Sequence, residues 1–85
     1  MKESEQYQFQ DLIRDLEQGR EIEFRILGKA HTITHFSEGW QFWEENEAKV
    51  GPFDYASDLL SMIRVNGERL ESHFLQGHVE LMYVL

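Results

Sequence analysis

The chain of 85 residues carries sixteen acids against eight bases, a net charge of −8, no cysteine and a single proline. Without cysteine there is no disulfide framework and no thiolate metal site, which fits a reducing, cytoplasmic setting. The acid excess argues against direct binding to phosphate backbones, which needs clustered Lys and Arg. It favours a partner with a basic surface, because complementary charge speeds encounter.

One domain is expected over residues 1–85. A chain of this size buries roughly 60–65% of the surface its unfolded form exposes, so nearly every apolar residue is needed in one core. Phe9, Leu12, Ile13 and Leu16 recur at helical spacing and predict a first helix over 4–18, with Ser4 as its cap and Gly19 as its stop. The opening residues Met1 to Gln6 are polar, with no basic-then-apolar leader.

The period then changes to two. Ile22, Phe24 and Ile26 alternate with Glu21, Glu23 and Arg25, the pattern of a half-buried strand. A turn at Gly28-Lys29 leads to a second strand over 30–36, and Ser37-Glu38-Gly39 to a third over 40–44. Strand parity puts Trp40 and Phe42 on one face and Gln41 and Trp43 on the other. A short extended piece over 48–50 is expected to end at Gly51-Pro52, since proline cannot sit in a central strand.

Ala56, Leu59, Leu60 and Ile63 predict a second helix over 54–65, stopped by Asn66-Gly67. Leu70 and Phe74 mark a short helical stretch over 68–75 that Gly77 ends. Val79, Leu81, Tyr83 and Leu85 alternate as a last strand. The expected fold is therefore α+β: an antiparallel sheet of three to five strands with two main helices on one face, in the order helix-β-β-β-helix-short helix-β.

No constellation points to catalysis. His31 and His35 would lie about 13 Å apart along a strand, too far to share an ion. His73 and His78 lack a local carboxylate pattern, so all four histidines are expected at the surface or sheet rim, with no metal and no cofactor. There is no glycine-rich phosphate loop and no nucleophile elbow. The longest largely apolar run, 81–85, is too short to cross a bilayer.

Two surfaces invite a partner instead. Trp43, on the outer face beside the acids Glu44, Glu45 and Glu47, has the make-up of a binding hot spot, an aromatic ringed by charge. The final strand is apolar on both parities, so it is either buried on both sides or offers a free edge, through which the chain would dimerise.

Several segments are similar to small uncharacterised proteins carried by phages and prophages of Gram-positive bacteria. They are the run Arg20-Glu21-Ile22-Glu23-Phe24 after an amphipathic helix, Gly28-Lys29, His31-Thr32-Ile33, Gly39-Trp40, Phe53-Asp54 and Asn66-Gly67-Glu68-Arg69-Leu70. These are turn and core positions, so the resemblance implies a fold and carries over no functional residue. By analogy with such proteins, the expected function is that of an inhibitor or adaptor docking a basic protein surface, with a nucleic-acid mimic as the sharpest form.

Overall fold

In the computed structural model, which describes residues 6–85, the order is α1 (Phe9–Glu17), β1 (Ile22–Ile26), β2 (Lys29–Phe36), β3 (Gly39–Glu44), β4 (Glu47–Phe53), α2 (Ala56–Met62), β5 (Arg64–Val65), β6 (Glu68–Arg69), α3 (Leu70–Leu75) and β7 (Val79–Val84). β1–β4 and β7 form one antiparallel sheet in the order β4-β3-β2-β1-β7, and β5 and β6 form a small separate hairpin. This is the expected α+β architecture, with the helices on one sheet face.

The core forms where both periodicities converge. Leu12 and Leu16 of α1, Leu59 of α2, Ile63 just beyond it and Leu70 of α3 meet Ile22, Phe24, Ile26, Ile33, Trp40 and Phe42 from the sheet. At ~25 cal/mol per Å² of apolar surface removed from water, a side chain of this size stabilises by about 1.5–3 kcal/mol. Phe24 packs 6.5 Å from Phe42 and 6.4 Å from Phe74, centroid to centroid, joining sheet to α3.

Helix boundaries differ from the periodic reading for local reasons. Tyr7 and Gln8 lie before the helix, which starts at Phe9, because the Asp11 carboxylate accepts the Gln8 backbone N–H at 2.9 Å and caps it. The predicted Ser4 cap lies outside the described residues. Gly19 does close α1: its N–H reaches Leu16 O and that of Arg20 reaches Asp15 O, a left-handed glycine stop. Gly77 closes α3 in the same way, with its N–H on Phe74 O and the His78 N–H on His73 O.

α2 ends at Met62, three residues short of the predicted limit. Asn66 and Gly67 both have positive φ, 53° and 80°, and form a hairpin turn rather than a helix stop, drawing Arg64 and Val65 into β5. The first hairpin likewise turns one residue earlier than predicted. Leu27 and Gly28 take the left-handed positions, and Lys29 already pairs with Ile26.

Gly51-Pro52 does not end β4. The strand runs on to Phe53, which pairs with Trp40. This is allowed because β4 is an edge strand, where proline's missing N–H is not needed by a neighbour. The register slips twice along β4, each time leaving an extra residue bulged out of the ladder.

In β7 a bulge resolves the two-sided apolar pattern. Phe24 pairs with Leu81 but Glu23 with Tyr83, so Met82 is the unpaired residue. Val79, Leu81 and Val84 therefore all pack against the core, while Met82 and Tyr83 are exposed. The strict alternation that would have put Tyr83 with Leu81 fails by this one residue.

Candidate functional site

The outer face of the large sheet is uncovered by any described helix. Cross-strand register places on it Glu21, Glu23 and Arg25 from the β1 segment, Thr32, Thr34 and Phe36 of β2, Gln41 and Trp43 of β3, and Glu80 and Tyr83 of β7. Trp43 is half-buried, and its indole N–H donates to Thr34 Oγ1 at 2.8 Å. Phe36, 48% exposed, meets it edge-on at 6.5 Å between ring centroids. The two rings border an open depression of about 250 Å³ lined also by Thr32, Thr34, Glu45 and Asn46.

Trp43 thus stands on the outer face, as strand parity predicts. The three acids grouped with it separate. Glu45 takes the left-handed turn position at φ 55° and borders the same depression as Trp43. Glu44 points to the other side of the sheet, 3.1 Å from Lys29 Nζ and 3.6 Å from Lys49 Nζ, and Lys29 holds its carboxyl below the usual range. Glu47 is exposed and ion-paired to Lys49 at 3.1 Å. Of the three, Glu45 alone is both unpaired among the described residues and beside the indole.

Other acids take their place. Among the described residues, Glu21, Glu23 and Glu80 share the Trp43 face, against one base, Arg25. Glu21 also accepts the His35 backbone N–H at 2.9 Å, and Glu23 raises the pKa of the Tyr83 hydroxyl by hydrogen bonding. Strand parity alone groups Glu21 and Glu23. Their proximity to Glu80 and Tyr83 depends on the pairing of β7 with β1, for which local sequence holds no signal.

Two histidines expected at the surface are core residues. His31 is 1% exposed and stacks against Phe42 at 5.4 Å. Lys29 O accepts from Nδ1 at 2.8 Å, which fixes the tautomer and leaves a lone pair on Nε2, 4.0 Å from Glu44 Oε2. His73, also 1% exposed, donates from Nε2 to Val65 O at 2.7 Å, so its Nδ1 accepts from His78 Nδ1–H at 3.1 Å. Each of the two buried rings finds a partner for its N–H, which is what lets a polar ring sit inside. Among the described residues no group of three or more His, Asp or Glu is placed to hold a metal ion.

Burial lowers the His31 pKa below 6.5, so the unfolded chain takes up a proton that the folded chain refuses. Stability attributable to His31 is then complete above about pH 6.5 and declines as pH falls below it. Denaturant titrations at pH 7 and pH 5 should show the loss, and His31→Leu should reduce the difference between them. An unchanged pH slope in that variant would remove His31 as the cause.

No helix among the described residues is long and apolar enough to cross a membrane. The chain matches no protein-family model, no curated protein and no solved structure.

Proposed function

We propose that this chain is a binding module that takes a basic protein surface onto the open face of its sheet. The observation that supports this best is the Trp43–Phe36 pair, left uncovered on a face where Glu21, Glu23, Glu45 and Glu80 outnumber Arg25. A large aromatic surface desolvated at the centre of an interface supplies affinity, and the surrounding carboxylates orient and accelerate the approach. The indole is held in place by Thr34, so little side-chain freedom is lost on docking. A partner whose basic surface ordinarily meets nucleic acid is the sharpest version. The role we propose for it is that of an inhibitor or adaptor, by analogy with the phage-borne proteins its sequence resembles.

Affinity capture from lysate at low and high salt, with the wild-type chain and Trp43→Ala side by side, tests this. A bound basic protein should be lost at high salt, because exposed charges are screened beyond about 8–10 Å at physiological ionic strength. Trp43→Ala should weaken binding by roughly ten- to hundredfold, the scale of a hot-spot truncation. A complex indifferent to both salt and Trp43→Ala would refute the proposal.

A further inference from the structure

The two edges of the sheet are not equivalent. β4 is guarded: Pro52 lacks a donor, two bulges break its line, and Glu47 and Lys49 add charge. Edge strands protected in this way resist pairing with another chain. β7 has no proline, one bulge, at Met82, and one charged residue, Glu80, and among the described residues it pairs with β1 alone. Along it Met82 and Tyr83 are 39% and 49% exposed, while Val79, Leu81 and Val84 close the core beneath, with no further strand beside them among the described residues.

From this contrast we propose that β7 receives an extended, basic segment of the partner as a sixth strand. The inference rests on the proposed docking of a basic protein and names how part of that partner binds. A free strand edge offers a row of backbone donors and acceptors that only extended chain can satisfy in register. Charge decides between occupants. A strand laid against β7 has its outer-face residues beside Glu80 and Tyr83, with Glu23 and Arg25 one strand further on. Lys or Arg opposite Glu80 meets its carboxylate about 4.5–5.5 Å away. A second copy of this chain would bring another net charge of −8 instead. On the inner face the incoming strand needs apolar residues, to extend the row of Val79, Leu81 and Val84. An alternating basic–apolar segment meets both requirements.

The experiment uses the full chain, labelled for amide NMR, and a capped eight-residue peptide of alternating lysine and valine. A second peptide of the same composition carries N-methyl groups on alternate residues, which removes backbone donors and keeps the charge. The expected result is saturable shifts and slowed exchange at the amides of Val79, Leu81 and Val84, with the methylated peptide at least about tenfold weaker. Persistence of this response in Trp43→Ala would show edge pairing independent of the aromatic anchor. Equal binding of both peptides would overturn the inference, as would shifts confined to Trp43 and Phe36. The second of these leaves the open-face proposal standing, whereas no response anywhere on the outer face or β7 counts against both. Self-association of the free chain through β7, seen by light scattering, would also overturn it, by making a second copy the occupant.

Discussion

Phe42→Ala is expected to lower the free energy of unfolding by about 3–5 kcal/mol, the range for truncating a buried aromatic. Phe42 lies 2% exposed at the centre of the sheet, stacked on His31 at 5.4 Å and within 6.5 Å of Phe24. Its cross-strand partners are Ile33 and Val50. Truncation leaves a cavity walled by sheet backbone, which cannot collapse without breaking the ladders that position those neighbours. At about 0.05–0.15 kcal/mol per residue a domain of this size has only roughly 4–13 kcal/mol in total, so the loss removes much of it. The thermal midpoint should drop by about 15–30 °C. Phe36→Ala on the outer face serves as the control and should stay within about 1 kcal/mol. Similar losses in the two variants would contradict the assignment of inner and outer faces.

Gly39→Ala should be nearly as damaging, for a different reason. Gly39 has φ 130°, a conformation L side chains rarely adopt, and an added Cβ would come within 3.0 Å of the Phe53 carbonyl carbon. The backbone strain costs about 1–3 kcal/mol, and β4 must also move away, loosening the Trp40–Phe53 pairing. A total of at least about 3 kcal/mol is expected, since strain and lost strand pairing both contribute. Gly28→Ala separates the two terms. It has a positive φ of 87°, nearer the left-handed helical region than Gly39, and nothing within 4 Å of its Cβ, so only backbone strain remains, about 1–2 kcal/mol. Urea titrations of both variants decide the matter: equal losses would mean that the close approach to Phe53 has no energetic weight.

These two positions also show where sequence reading succeeds and stops. Phe42 is identifiable as core because side chains alternate across a strand, a fact of covalent geometry that needs no tertiary information. The same rule placed Trp40 inward and Trp43 outward. Gly39 reads from sequence only as part of a turn. Its need to be glycine comes from β4, which folds back over it, and no local pattern records that approach.

The candidate site divides in the same way. Trp43 was legible from parity, and Glu45 from its place in the turn. The grouping of Glu44 and Glu47 with them failed because proximity along the chain is not proximity on a face. Lys29, fifteen positions earlier, crosses from β2 to neutralise Glu44. His31 and His73 sit in the core against the surface expectation, because a histidine can be buried once one ring nitrogen has a carbonyl to bond, and those carbonyls belong to Lys29 and Val65. Only the folded backbone brings the Val65 carbonyl to His73.

The sequence alone determined the α+β class, the glycine stops after α1 and α3, and which apolar side chains of β1 and β3 enter the core. Each follows from a spacing of a few residues or from the conformational freedom of one residue. The tertiary structure decided that β7 pairs with β1, that Met82 bulges and reverses the faces after it, and which carboxylates surround Trp43. The first two depend on contacts between residues more than fifty positions apart, and the third on those together with the β1–β2–β3 pairing and the Lys29–Glu44 ion pair, none of which a local period encodes.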